Sequence, residues 1–332
     1  MNQGPRCRVG LTRDLLTAAG VPSFGTAALA LLDDDLLIDW EFLPESVDEI
    51  TPQIAARYDA LYVNTPRVTA ASVAGADRRV KLVSRHGVGY DSVDVAALAA
   101  QGVMATNTPV AVRRPVAVAA LTFIFALAGR LLEKDRLTRT GRWHERTNAM
   151  GMGLTQRTLG VVGAGGIGQE LLALARPFGW RMLATDPYVN PAAVAALGAE
   201  CVPLEPLLQA SDFVVATVLL NAQTRHMMNA ARFSQMKRSA YFINLSRGPI
   251  ADETALIAAL QHGVIAGAGL DVFEQEPIAA DNPLLKMDNV LVTPHALCWT
   301  DECFDAIARE GLGCIVDFAN GRRPRSVIAA GA

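Results

Sequence analysis

Residues 158–186 constrain this chain more than any other stretch. An apolar run from Leu159 to Val162 leads into Gly163-Ala164-Gly165-Gly166-Ile167-Gly168. An Ala/Leu-rich helical segment follows, then a second apolar run that stops at Asp186. Strand, glycine loop, helix and strand-end acid in that order describe a βαβ unit built to hold a dinucleotide. Gly163 permits the tight strand-to-helix turn, Gly165 lets the backbone approach a pyrophosphate, and Gly168 lets the helix pack closely on the strand. The pyrophosphate is expected on the N–H groups at the helix start, around Gly166 and Ile167. Asp186 is placed to accept hydrogen bonds from an adenosine ribose diol, and its charge repels a 2′-phosphate, so NAD is expected rather than NADP.

At 332 residues the chain exceeds what one hydrophobic core usually supports, and two domains are expected. Apolar residues make up 51%, charged residues 19%, and the formal net charge is −3, a balance that fits a soluble globular protein. No basic block is long enough to neutralise a row of phosphates, so nucleic acid is not an expected partner. The 5 cysteines (Cys7, Cys201, Cys298, Cys303, Cys314) are scattered and include no C-x-x-C pair. That pattern suits reduced thiols in a cytoplasmic protein better than a disulfide frame or a zinc site, and no metal is expected. The N-terminus lacks the apolar core of a secretory signal. Pro115 to Gly129 is uncharged but shorter than the ~20 residues a membrane span needs; it reads as a buried helix, and no membrane association is expected.

Short β-like runs recur at Arg8–Thr12, Ile38–Leu43, Ala60–Asn64, Lys81–Ser84 and Val103–Thr106, with helical Ala/Leu stretches between them. The alternation restarts after residue 150, with runs at Leu159–Val162, Met182–Thr185, Phe213–Thr217, Tyr241–Leu245, Ala266–Val272 and Val290–Thr293. The expected fold is α/β, two doubly wound parallel-sheet units. A last helix, from about Thr300 to Gly321, starts at a Thr300 cap with Asp301 and Glu302 in its first turn, and is available to return to the first unit. The expected boundaries are 1–112, 113–299 and 300–332.

Three later segments each bring a chemically useful side chain to a strand end. They are I-N-L-S-R-G-P-I-A-D-E with Arg247, G-L-D-V-F-E-Q-E-P with Asp271, Glu274 and Glu276, and N-V-L-V-T-P-H with His295. In open α/β sheets ligands collect outside the carboxyl ends of the strands, so these groups should converge near the cofactor. Thr217, at another strand end, is counted with the cofactor contacts. Asp271 is read as a helper to the carboxylate and histidine and is also counted with the cofactor contacts, Glu274 is the rival of Glu276, and Asp252 is a helix N-cap.

These motifs, with G-V-G-Y-D-S-V-D (Gly87 to Asp94) upstream, resemble the NAD-dependent D-isomer-specific 2-hydroxyacid dehydrogenases from about residue 60 to 318. The resemblance implies a Rossmann-type NAD domain and a flavodoxin-like substrate domain with a cleft between them, the C-terminal helix completing the second, and a homodimer built around the NAD domain. It assigns Arg247 to the substrate carboxylate, His295 to acid/base catalysis, Glu276 to pairing with His295, and the Val88-Gly89 loop to the carboxylate through its N–H groups. The chemistry agrees. A guanidinium fork matches a carboxylate, and a histidine beside a carboxylate can deliver the proton that must reach the carbonyl oxygen as hydride arrives.

The pattern also departs from the family. Ala120 follows Val118-Ala119 where an acid is common, Thr217-Val218-Leu219-Leu220-Asn221 replaces H-x-P-L-T, and Ala296-Leu297-Cys298-Trp299 replaces small glycines after His295. Trp299 is either a narrowing of the site or a core indole. Arg113-Arg114-Pro115 is either a solvated hinge or positive charge for an acidic substrate. Asn64-Thr65 stands where phosphoglycerate dehydrogenases carry an arginine, which places hydroxypyruvate and glyoxylate ahead of 3-phosphoglycerate as expected 2-oxo acids. The rival reading is a non-catalytic NADH-sensing scaffold of the corepressor kind.

Overall fold

The structure, a computed structural model, describes residues 6–329. The chain divides into two compact units, one formed by Met1–Val112 with Trp299–Ala332, the other by Arg113–Cys298.

The second unit is a seven-stranded parallel sheet. Its strands are β6 (Thr158–Val162), β7 (Arg181–Thr185), β8 (Ala199–Cys201), β9 (Phe213–Ala216), β10 (Tyr241–Asn244), β11 (Gly267–Leu270) and β12 (Val290–Val292), in the order β12-β11-β10-β9-β6-β7-β8. The strands are apolar on both sides because both faces are covered. Phe213, Val215 and Ile243 pack into one cluster with Ala117, Phe123, Ile124 and Leu127 of the Arg113–Gly129 helix, while Val214, Ala216 and Phe242 pack into another with Leu256 and Leu260. Alternate residues of one strand therefore serve opposite cores. Each of the Val, Leu, Ile and Phe side chains among them contributes roughly 1.5–3 kcal/mol on full burial. The strand order reverses between β6 and β9, the position where a ligand crevice opens at the carboxyl ends of a doubly wound sheet.

The first unit holds β1 (Cys7–Leu11), β2 (Ile38–Phe42), β3 (Ala60–Val63), β4 (Leu82–Arg85), β5 (Met104–Thr106) and β13 (Val327–Ala329), in the order β13-β5-β4-β3-β1-β2. One face is closed by the C-terminal helix Asp301–Ala319, whose Ala308, Leu312 and Ile315 join Val9, Leu11, Tyr62 and Leu82 in a single core. The helix comes so close at Gly311 that a methyl group there would lie 2.5 Å from Tyr62, and Ser84 Oγ donates to the Gly311 carbonyl at 2.9 Å. Thr300 caps this helix, accepting from Cys303 N at 3.1 Å, and Asp252 caps Glu253–Gln261, accepting from Ala255 N at 3.0 Å.

Two strands went unread in the sequence, β8 and β13. Each has three residues, too few to show a period of two. β13 pairs antiparallel with β5, so the first sheet is parallel except at that edge. Among the described residues no single helix is long and apolar enough to cross a membrane; the Arg113–Gly129 helix bends by 57° into Leu131–Arg139.

Candidate active site

The glycine loop stands at the β6–β9 crevice. Gly163 has φ +97°, a left-handed conformation that side chains rarely adopt, and a Cβ on it would meet the Thr217 carbonyl carbon at 2.9 Å. A Cβ on Gly168 would lie 2.1 Å from the Gly163 carbonyl oxygen, so the Gly166–Ala175 helix can rest on β6 only because residue 168 has no side chain. Gly165 faces open space, with nothing within 4 Å of the position a Cβ would take. Thr217 Oγ1 donates to the Gly163 carbonyl at 2.6 Å and fixes the turn.

Asp186 follows β7 and holds the loop from the other side. Its Oδ2 accepts from Ala164 N at 2.9 Å and its Oδ1 from Tyr188 N at 2.8 Å and Val189 N at 3.2 Å. A cavity of about 440 Å³ opens beside it, lined by Gly163, Gly165, Asp186, Tyr188, Thr217 and Leu219 among others. A loop with one open glycine, a helix start behind it and an acid at the rim of an adjoining cavity fit a dinucleotide. Ile167, just inside the helix, is half-buried at the same turn.

The chemically active side chains gather at the ends of β10, β11 and β12. Arg247 lies three residues past β10 and is half-buried. Asn244 Oδ1 accepts from Ser246 N at 3.0 Å, Asn244 Nδ2 donates to the Arg247 carbonyl at 2.9 Å, and Ser246 Oγ donates to the Ala216 carbonyl at 2.9 Å. The arginine's backbone is thus braced on two sides. Gly248 next to it has no room for a side chain, since a Cβ would fall 1.8 Å from the Phe273 carbonyl carbon. That close passage brings the segment after β11 against the segment after β10.

Phe273 N donates to Glu276 Oε1 at 3.0 Å, and Glu276 Oε2 lies 2.8 Å from His295 Nδ1. Burial works to raise the Glu276 carboxyl's pKa. The hydrogen bonds from His295 and Phe273, with the nearby charges of His295 and Arg247, outweigh that and hold it below the ordinary glutamate value. Arg247, Glu276 and His295 are therefore coupled electrostatically. Glu274 points elsewhere: its Oε1 meets His226 Nε2 at 2.6 Å.

Asp271 braces the turn that carries His295. It is 3% exposed, and its Oδ1 accepts from Thr293 Oγ1 at 2.6 Å, Ala296 N at 2.9 Å and Leu297 N at 3.1 Å. These bonds clamp the turn in which His295 adopts φ 55°, a conformation costing a non-glycine residue about 1–2 kcal/mol. A lone D-V-F in a sequence carries no sign of which backbone groups its carboxylate will meet.

Val88 and Gly89 lie in the first unit after β4, with the Val88 carbonyl accepting from Asn107 Nδ2 at 2.7 Å. Trp299 also groups with the first unit, where it is 57% exposed and edge-on to Phe304 at 5.0 Å.

The parallel sheet, the glycine loop and the arginine, carboxylate and histidine beside it define an oxidoreductase that uses a nicotinamide dinucleotide. The chain belongs to the D-isomer specific 2-hydroxyacid dehydrogenase family: residues 121–296 match that family's NAD binding domain, and curated relatives align along most of their length. It is 40% identical to a glyoxylate reductase of Korarchaeum cryptofilum over 78% of this chain and 79% of that one. It is 36% identical to a glyoxylate/hydroxypyruvate reductase B of Citrobacter koseri over 90% and 95% respectively. Among solved structures, D-lactate dehydrogenase from Aquifex aeolicus complexed with NAD and lactic acid superposes with TM-score 0.84 at 26% identity, covering 98% of this chain and 100% of that one. The chain is an NAD-dependent D-2-hydroxyacid dehydrogenase.

Proposed function

We propose that the protein reduces a small 2-oxo acid, glyoxylate or hydroxypyruvate, to the hydroxy acid. The observation that carries the reading is the 2.8 Å pair of His295 and Glu276 with the Arg247 charge acting on the same carboxylate. Arg247 holds the substrate carboxylate in its guanidinium fork. His295, with Nδ1 turned to Glu276, presents Nε2 to the carbonyl oxygen and delivers the proton there. Glu276 keeps the imidazole oriented; Asp271 holds the turn beneath it. The cofactor, held by Gly163, Gly165, Gly166, Ile167, Gly168, Asp186 and Thr217, supplies the hydride when bound. The two relatives named for glyoxylate and hydroxypyruvate rank those acids ahead of 3-phosphoglycerate. Those relatives, named as reductases, favour the enzyme over an NADH-sensing scaffold.

We also propose a cytoplasmic homodimer. Leu131 and Leu132, 58% and 60% exposed, line one depression of the second unit with Met150, 76% exposed, and a second copy would cover them. The scattered spacing of the cysteines, with no C-x-x-C pair, supports a reducing compartment. Oxidation of NADH should be measured with glyoxylate, hydroxypyruvate, pyruvate and a phosphorylated 2-oxo acid. Rapid turnover of the first two is expected; binding of NADH without turnover on any acid would overturn the enzymatic reading.

A further inference from the structure

Of the paired arginines Arg113 and Arg114, the second reaches the side of the Gly166–Ala175 helix: its Nη1 meets Glu170 Oε1 at 2.8 Å. The first turns to the start of that same helix. A Cβ on Gly166 would lie 2.5 Å from Arg113 Nε and 3.0 Å from its Cζ, so the guanidinium lies across the glycine loop in the space a side chain at 166 would fill.

The start of a helix carries partial positive charge, and a guanidinium beside it adds to the field that draws an anion there. The loop beside it is the dinucleotide's phosphate site. Gly165 opens that site on one side, and Asp186 takes the Ala164 N–H at 2.9 Å on the other. We infer that Arg113, at the first turn of the Arg113–Gly129 helix, is a pyrophosphate-binding residue: its fork takes phosphate oxygens of the bound dinucleotide and supplies the charge that the side-chain-free loop lacks. Both arginine and loop lie in the second unit, so the assignment needs nothing from the first.

Dissociation constants for NADH, ADP-ribose and adenosine test it without any turnover, independently of which acid is reduced. Arg113→Ala should weaken NADH and ADP-ribose about tenfold, the scale of one charge-assisted hydrogen bond, and leave adenosine, which has no phosphate, unchanged. Arg113→Lys should recover part of the loss, since a point charge replaces the fork. Arg114→Ala should bind ADP-ribose like the parent. ADP-ribose affinity within twofold of the parent in both Arg113 variants would overturn the assignment. So would equal weakening of adenosine, which marks a structural effect. A raised KM for a dicarboxylic or phosphorylated 2-oxo acid with ADP-ribose binding intact would instead give Arg113 to the substrate.

Discussion

His295 Nδ1 stands 2.8 Å from Glu276 Oε2, and the other oxygen of that carboxylate is fixed by the Phe273 N–H at 3.0 Å. The histidine is therefore held through one nitrogen by an acceptor that is itself immobilised, which leaves Nε2 for the proposed proton transfer. His295→Ala should lower turnover by about 10²-fold or more while NADH affinity stays within a few-fold of the parent. Steady-state kinetics with NADH fluorescence titration checks both; unchanged turnover removes His295 from the reaction.

Glu276 has a lowered pKa in the folded protein, so its bonds stabilise the fold fully above the unfolded glutamate value of about 4.3 and lose that effect as pH falls through the lower folded value. Glu276→Gln should be less stable than the parent at pH 7, and the gap should close below about pH 4. Urea midpoints measured across that interval report it. A gap that persists undiminished at pH 3 would assign it to packing.

Asp271 is tested through the turn it clamps. Asp271→Asn keeps the shape but replaces a charged acceptor with a weaker one for three donors, so turnover should fall about tenfold with little change in NADH binding. If cofactor affinity falls and turnover at saturation does not, Asp271 belongs to the cofactor side.

His86 carries a pH effect on the first unit. It is 4% exposed, its Nδ1 lies 2.6 Å from Tyr62 Oη, and Phe24 and Phe304 flank the ring. Burial, with the Arg85 charge, pushes its pKa down to about 3. The folded state keeps the ring neutral, while the unfolded state takes up a proton below about pH 6.5. Stability from this group is complete above that pH and declines toward pH 3, by about 1.4 kcal/mol per pH unit. His86→Phe should flatten the slope between pH 6 and 4 in urea unfolding; an unaltered slope would place the titrating group elsewhere.

Asp186→Ala should weaken NAD and reduce the preference over NADP, because it removes the carboxylate proposed to accept from the ribose and to repel a 2′-phosphate. It should also loosen the glycine loop, since Ala164 N loses its 2.9 Å acceptor. Comparing dissociation constants for NADH and NADPH reads the outcome, and an unaltered ratio would show that another residue reads the ribose.

Much of this site was legible because its motifs are local: G-A-G-G-I-G reads as a turn and helix start, and T-P-H places a histidine just past a strand. What escaped depended on contacts far apart in sequence. Glu274 and Glu276, close rivals in the sequence, differ in their distant partners, His226 for the first and His295 for the second, and the clamp from Asp271 reaches residues 293–297. Nothing near Arg113 in the sequence indicates that its side chain crosses to Gly166. The antiparallel strand β13 was hidden by its length, since three residues after a run of arginines offer no pattern to read.

The return of the Asp301–Ala319 helix to the first sheet has a consequence for biosynthesis. Val9, Leu11, Tyr62 and Leu82 emerge from the ribosome early, yet the residues that cover them, Ala308, Leu312 and Ile315, come after the whole second unit. At roughly 5–20 residues per second, that face waits on the order of ten seconds or more for its cover. The nascent chain carries a sticky half-domain through that interval, and a chaperone that shields apolar surface would find its client there.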